Sequence, residues 1–373
     1  MTFRCKNCGG NTIYSPEKRS MYCPFCDSLG SSERTDVCKK CGNMIVYDPE
    51  KGGMHCRYCD SNGSVENAGE SLGETTICPN CNGEVNLEIH TSATRCPSCD
   101  SYLILNERVE GAYAPKTIIP FEMGKETCKE SIREKFKKFR FAPTDFLAEA
   151  KLNEMQGVYV PFWLYDYDTH WDFQAEGTKI RSWTSGNTEY TETSVYDVRR
   201  DIDIQFSRIP VDASEQMPDD VMDLVEPYDY NQMKDFIPEY MSGFYAEKYN
   251  MFSDAVEERA KKKMTDDADI LIKGTYAGYG NVKVIHRNYN LRSSKSDYGL
   301  LPVWRYIYKY NGTNYPFYVN GQTGKIVGTP PISTKKVWVY TGTLWAGLTA
   351  ILVLLQVLGI SVVRLLDSVL FYW

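Results

Sequence analysis

Three times the chain places cysteines as Cys-x-x-Cys, fourteen residues, Cys-x-x-Cys: Cys5, Cys8, Cys23 and Cys26; Cys38, Cys41, Cys56 and Cys59; Cys78, Cys81, Cys96 and Cys99. Twelve of the thirteen cysteines fall in these quartets. A two-residue spacer bends into a knuckle that points both sulfurs at one ion, and four thiolates meet the tetrahedral preference of zinc. Iron accepts the same soft ligands, and disulfides are the remaining use of such pairs. The expectation is three structural Zn2+ sites. A closed four-cysteine site keeps no position open for water or substrate, so no catalysis is expected there. His55 precedes Cys56, but Tyr22 and Arg95 hold the matching places, so His55 is not read as a ligand.

The quartets are copies of one unit. Asp-Ser follows the last cysteine each time, at Asp27-Ser28, Asp60-Ser61 and Asp100-Ser101, and Tyr-x-Pro-Glu-Lys recurs at 14–18 and 47–51, where a hairpin should turn. In the third copy residues 84–89 alternate polar and apolar, as a short strand does. Each unit resembles a zinc ribbon of the general transcription-factor type, giving ribbons over 1–30, 34–63 and 74–110. About thirty residues bury too little apolar surface to fold alone, so metal must supply the stability. Residues 29–35 and the Gly-, Ser- and Glu-rich stretch 62–76 read as linkers, the second leaving the third ribbon freer.

Other chemistry is sparse. No phosphate-binding lysine loop is present, and the four histidines, at 55, 90, 170 and 286, lack metalloprotease spacing. Asp166, Asp168, His170 and Asp172 alternate with Tyr167, Thr169 and Trp171, and are read as the solvent-facing row of a strand whose other face is core. Cys128 recurs with Ile132, Phe136 and Phe139 at helical spacing over 125–140, which makes it a packing thiol. The chain is read as non-enzymatic, with no catalytic residue. Through Gly111 there are 11 Lys and Arg against 15 Asp and Glu, and each tetrathiolate zinc adds two negative charges, so phosphate backbones are poor partners. Proteins are the favoured partner class; nucleic-acid binding through Lys39, Lys40 and Arg57 is the alternative.

The elements that follow are an α+β, aromatic-rich domain with β-hairpins over 113–334 and one C-terminal transmembrane helix, so the fold class is multidomain. Asn311-Gly312 marks a two-residue hairpin turn that sets Tyr308 against Tyr315 and Tyr306 against Phe317. Residues 325–327 add a third strand, and 318–327 are similar to the hairpin of PepSY-type domains. Pro-x-Trp-x-Tyr-x-Tyr occurs at 161–167 and again at 302–308, suggesting two related β-rich halves. A helix capped by Ser253 is expected to run to about Asp267, its Lys261–Lys263 run on a solvated face, and the carboxylates of 217–226 read as an acidic surface. Residues 337–363 run 27 residues without a charge, long enough to cross a bilayer. Lys335 and Lys336 precede this span while Arg364 lies close to Asp367, which places the N-terminal part in the cytoplasm; the unpaired thiols and the lack of a signal peptide agree. Residues 364–373 are an interfacial tail, and Gly342, Ala346 and Ala350 offer a helix contact for a homo-oligomer.

The layout resembles a bacterial, Firmicutes-type family of membrane-anchored proteins with TFIIB-type zinc ribbons, sometimes labelled primosomal-helicase-like. The residues that carry the resemblance are the quartets, Ile119-Pro120-Phe121, Phe141-Ala142-Pro143, 157–163, and 318–328 followed by the apolar span. It implies an association with SPFH-domain and phage-shock-type membrane-stress proteins. The expected function is a cytoplasmic adaptor that recruits proteins to the membrane.

Overall fold

A computed structural model describes residues 1–38, 40–48, 53–63 and 75–358, which form two compact units. One comprises residues 1–125, 156–305 and 318–327; the other comprises 126–155, 306–317 and the chain from 328 onward.

In the first unit, the first ribbon holds β1 (Thr2–Cys5), β2 (Ile13–Ser15) and β3 (Ser20–Tyr22). The second holds β4 (Ser32–Val37), β5 (Met44–Asp48), β6 (Gly53–His55) and β7 (Asn62–Gly63); the third holds β8 (Thr75–Ile77), β9 (Glu84–Asn86), β10 (Thr91–Arg95) and β11 (Tyr102–Ile104). The first hairpin turns between Ser15 and Ser20, as the Tyr-x-Pro-Glu-Lys segment predicts; most of the matching turn, 49–52, lies outside the described residues. The ribbons are not beads on linkers. Residues 32–35, expected to be connector, form the start of β4 and pair antiparallel with β1, from Thr2↔Thr35 to Cys5↔Ser32, giving one sheet in the order β1-β4-β5-β6-β7. Of the second expected linker, 64–74 lies outside the described residues.

The larger sheet is built from β12 (Thr117–Ile118), β13 (Gln156–Ser185), β14 (Thr188–Asp212), β15 (Lys234–Asp235), β16 (Tyr245–Glu247), β17 (Gly280–Tyr310), β18 (Thr313–Asn320) and β19 (Ile326–Val327). Its main path runs β11-β10-β16-β13-β17-β12-β15, so the third ribbon supplies two of its strands. β10 pairs with β16 through Thr91↔Glu247 and Ala93↔Ala246, and the Lys248 amide donates to the His90 carbonyl at 2.8 Å. Backbone amides and carbonyls at an open sheet edge need partners, and here the ribbon provides them. The freedom expected for the third ribbon is therefore absent.

The two Pro-x-Trp-x-Tyr-x-Tyr segments lie on neighbouring antiparallel strands, with Trp163 opposite Tyr298 and Gly157 opposite Trp304. They belong to one sheet rather than to separate halves. The hairpin turn at Asn311-Gly312 has φ of 49° and 79°, the left-handed pair that this dipeptide favours. Tyr318 and Val319 pair with Val327 and Ile326, giving the expected third strand.

Helices are α1 (Lys125–Phe136), α2 (Glu149–Leu152), α3 (Asp219–Val225), α4 (Ser253–Gly274) and α5 (Thr334–Val357). α4 outruns its expected end by seven residues because Val256, Ala260, Met264, Ala268 and Ile272, one every four residues, are all buried in one cluster with Tyr165, Tyr167, Trp171 and Phe173 of β13 and Ile204, Phe206, Ile209 and Val211 of β14. Ser253 does not cap it: Phe252 flanks the first turn without a side-chain hydrogen bond. Nor is all of the lysine run solvated, since Lys263 reaches Asp223 and Glu226, both at 2.7 Å, and Arg259 meets buried Asp212 at 2.8 Å and Asp219 at 3.0 Å. The acidic stretch 217–226 is thus partly an inward-facing ion-pair cluster. Burial raises the Asp212 carboxyl to about 6, a push that Arg259 only partly offsets.

In the second unit, Phe136, Phe146, Tyr306, Tyr308 and Phe317 pack together, with Phe136–Phe317 ring centroids 5.5 Å apart and Phe146–Tyr308 at 5.2 Å. α1 stops at Phe136, short of the expected Arg140, and Phe139 is left exposed. Cys128 is fully buried, and burial pushes its thiol up to about 12, as suits a packing residue. The Ser333 hydroxyl accepts from the Lys336 amide and caps α5. The most apolar stretch of this helix has none of its residues buried, and its length and composition would allow it to cross a membrane. Gly342, Ala346 and Ala350 are exposed along it. Residues 359–363 of the expected span and the tail 364–373 lie outside the described residues.

Candidate metal centres

The cysteine clusters are built by six copies of one backbone turn. In each, the residue after the second cysteine takes a left-handed conformation: Gly9, Gly42 and Asn82 in the first knuckles, at φ 75°, 74° and 56°, and Asp27, Asp60 and Asp100 in the second, at φ 58°, 52° and 59°. The turn is closed by two backbone hydrogen bonds to the leading cysteine, as where the Asp27 amide donates to the Cys23 carbonyl at 2.9 Å and the Cys23 amide donates to the Ser28 carbonyl at 3.0 Å. Glycine, asparagine and aspartate are the residues that adopt this conformation at least cost. The repeated aspartate is therefore explained by backbone geometry.

The same aspartates meet the residue that precedes the third cysteine. Tyr22 donates its hydroxyl hydrogen to Asp27, Arg95 pairs with Asp100 at 2.9 Å, and His55 lies 3.6 Å from Asp60. His55 thus occupies a knuckle-bracing position shared by all three ribbons and points to no metal.

Within each quartet the four sulfurs lie within 4.8 Å of one another. Cross-knuckle separations are 3.6 Å for Cys5–Cys26, 3.5 Å for Cys8–Cys23, 3.7 Å for Cys38–Cys59, 3.5 Å for Cys41–Cys56, and 3.7 Å for both Cys78–Cys99 and Cys81–Cys96. A tetrahedron with metal–sulfur bonds of about 2.3 Å has edges of about 3.8 Å, so these distances fit four ligands around one ion. They are far beyond the roughly 2.05 Å of a disulfide, and all thirteen cysteines are free thiols. Among the described residues no other His, Cys, Asp or Glu group gathers in this way.

The serine of each Asp-Ser pair reaches the sulfurs. Ser28 Oγ lies 3.1 Å from Cys5 Sγ and 3.2 Å from Cys26 Sγ; Ser61 Oγ lies 3.3 Å from Cys38 and 3.0 Å from Cys59; Ser101 Oγ lies 3.2 Å from Cys99 and accepts from Asn80 Nδ2 at 2.7 Å. A hydroxyl hydrogen aimed at sulfur favours the thiolate: Ser28 holds Cys5 down to about 6, and Ser61 does the same for Cys38. Other members of the quartets move the opposite way, Cys56 to about 11 and Cys78 to about 12, each chiefly through burial and further through neighbouring sulfurs. Four sulfurs this close cannot all ionise unless a cation sits among them. The donor set therefore fits a divalent, thiolate-loving ion at each cluster. The recurrence of Asp-Ser was visible in the sequence; the backbone strain and the sulfur contact that require it were not.

The row Asp166, Asp168, His170 and Asp172 does lie on the β13 face opposite the fully buried Thr169 and Trp171. His170 Nδ1 is 2.7 Å from Asp203 and Arg292 is 2.8 Å from the same carboxylate, which these two partners hold below the usual range. The row is a set of partly exposed polar contacts on a sheet face: Asp168 and His170 belong to ion pairs, Asp166 accepts from the Arg208 amide at 2.8 Å, and Asp172 is open to solvent with His286 3.4 Å away.

Sequence reasoning passed over Phe25 and Tyr58. Each stands just before the second cysteine of its knuckle, and they are 71% and 72% exposed; Ser98 holds that place in the third ribbon. An aromatic ring recurring at a cluster's outer tip was the available signal.

Over 234 residues the chain is 38% identical to the "Uncharacterized protein YdjG" of Bacillus subtilis (strain 168), an alignment covering 63% of this chain and 69% of that protein. No protein-family model matches the chain, and no solved structure does.

Proposed function

We propose that this chain, which belongs to the same family as that Bacillus subtilis protein, is a membrane-anchored, non-enzymatic adaptor whose three zinc ribbons offer a cytoplasmic docking surface to protein partners. The observation that carries the reading is the pair of exposed aromatic tips, Phe25 and Tyr58, on knuckles whose backbone is fixed by the cysteine clusters. Rigid aromatic side chains lose little entropy on binding and are frequent anchors of protein interfaces. Zinc is the ion best suited to closed sites of four thiolates, where it would hold the ribbons folded and supply no reaction. α5, with its apolar surface unburied, is the proposed anchor, crossing the membrane once; Lys335 and Lys336 at its start support a cytoplasmic location for the ribbons. SPFH-domain and phage-shock-type proteins are the proposed partners, on the strength of the layout that this chain resembles.

Removing ribbon cysteines is a poor test, because the third ribbon is part of the main sheet and its loss would disturb the whole unit. Phe25→Ala combined with Tyr58→Ala leaves the clusters intact. Affinity capture from solubilised membranes should lose its specific partners in this variant while metal content stays unchanged; an identical partner set would refute docking at the tips. For nucleic acid, the alternative, no observation adds support: Arg57 lies 3.7 Å from Glu33, and Lys39 is outside the described residues. Salt-sensitive binding of DNA or RNA by the full chain would favour that alternative.

A further inference from the structure

The start of α5 is held by a segment that sequence order places nearly two hundred residues earlier. Ser333 N donates to the Phe141 carbonyl at 2.7 Å, Lys336 Nζ donates to the Ala142 carbonyl at 2.7 Å, and the Phe141 and Tyr340 rings meet edge to face at 5.4 Å. With α5 crossing a bilayer, on which reading this inference rests, these contacts fix residues 137–142 at the depth where the helix enters the membrane.

That segment begins Lys137-Lys138-Phe139-Arg140, all four exposed. Lys137 is paired with Glu134 at 2.5 Å. Lys138, Arg140 and Lys335 are exposed and have no carboxylate partner among the described residues. Beside them Phe139, Ile332 and Trp338 are 51%, 66% and 78% exposed, so largely uncovered apolar side chains adjoin cations without an acid, Phe139 resting one edge on Phe136. Phosphate groups above a hydrocarbon boundary would satisfy both: the cations face the headgroups, and the rings lie at the interface. We propose that Lys138, Arg140 and Lys335, flanked by Phe139 and Trp338, form a binding surface for the headgroups of anionic lipids in the leaflet that α5 enters.

The full-length chain in neutral detergent micelles is titrated with fluorescent phosphatidylglycerol and, separately, with fluorescent phosphatidylcholine. The wild type should prefer the anionic lipid, and each charge neutralised in Lys138→Gln, Arg140→Gln and Lys335→Gln should reduce that preference by about fivefold, the equivalent of roughly 1 kcal/mol per basic residue near a lipid surface. These side chains are exposed, so unchanged metal content and circular dichroism should confirm that the triple variant is folded. Equal affinity for both lipids, or a preference that the triple variant keeps, would overturn the proposal. Displacement of the lipid by inorganic phosphate at equal concentration would overturn it too, by showing a free-anion site. Carbonate washing of membranes that contain the wild type separates two failures: release into the supernatant refutes the anchor and with it this surface, whereas retention together with equal lipid binding refutes the surface alone.

Discussion

If the third ribbon is a structural part of the main sheet, breaking its metal site should be felt across β10 and β16. The perturbation is Cys96→Ser, which removes one of four sulfurs at a fully buried position. On the reading proposed above, structural zinc would supply on the order of 10–16 kcal/mol to the ribbon, so the altered ribbon should lose its local structure. With it goes the burial of Leu103 and Ile104, both 1% exposed or less, worth about 2 kcal/mol each. The edge bonded to the ribbon then loses about 4 kcal/mol of protection, or close to a thousandfold in exchange rate. The reporter is the Lys248 amide, whose acceptor is the His90 carbonyl of the ribbon. Hydrogen exchange followed by mass spectrometry should show the Lys248 amide and the β16 amides that face β10 exchanging about a thousand times faster, while those paired with β13 and, across the sheet beneath α4, Thr169 and Trp171 are little changed. Unaltered protection at 245–248 in protein shown to have lost one of three metals would refute the reasoning, since the ribbon would then be an independent body.

Three further outcomes follow from the site and the core. Ser28→Ala with Ser61→Ala removes the hydroxyls that favour thiolate in the first two clusters; outer partners of metal ligands are worth roughly tenfold to a hundredfold in affinity, so competition with a chromogenic chelator should extract two of three metals more readily, the third unchanged. Cys128 should resist alkylation at pH 8 in folded, metal-loaded protein because burial raises its thiol to about 12, and Cys128→Ser should lower the unfolding free energy by about 1–3 kcal/mol by burying a hydroxyl in an apolar site, measured by urea titration.

The cysteine quartets were legible because metal ligation fixes spacing rigidly: two residues within a knuckle, and the same loop between knuckles three times over. The hairpin at Asn311-Gly312 was legible for a similar reason, since few dipeptides adopt two successive left-handed conformations. The attachment of the third ribbon was not, because β10 and β16 lie some 150 residues apart and the contact is a backbone pairing, which leaves no mark on side-chain pattern. The great length of β13, β14 and β17 was hidden too: beyond Ala175 many residues are exposed on both faces, so the alternation that announces a strand fades where the strand does not. The pattern understates α4 because two of its five buried positions are alanines, which signal burial weakly, and overstates α1 because Phe139 continues a helical spacing that the backbone abandons at Phe136.

The buried positions of α4 alternate in volume as well as recurring every fourth residue: Val256, Ala260, Met264, Ala268, Ile272. Such a row works as a key whose teeth differ in height. A slip of the helix by one turn, about 6 Å, would keep the stripe facing β13 and β14 but drive methionine and isoleucine into spaces shaped for alanine, while opening voids under the alanines. Only a shift of two turns, about 12 Å, would restore large to large and small to small, at the expense of leaving the last turn with nothing beneath it. Size thereby selects the same longitudinal setting that the Arg259–Asp212 and Lys263–Glu226 ion pairs fix, and Ala260→Leu should be tolerated far less well than its modest chemistry suggests.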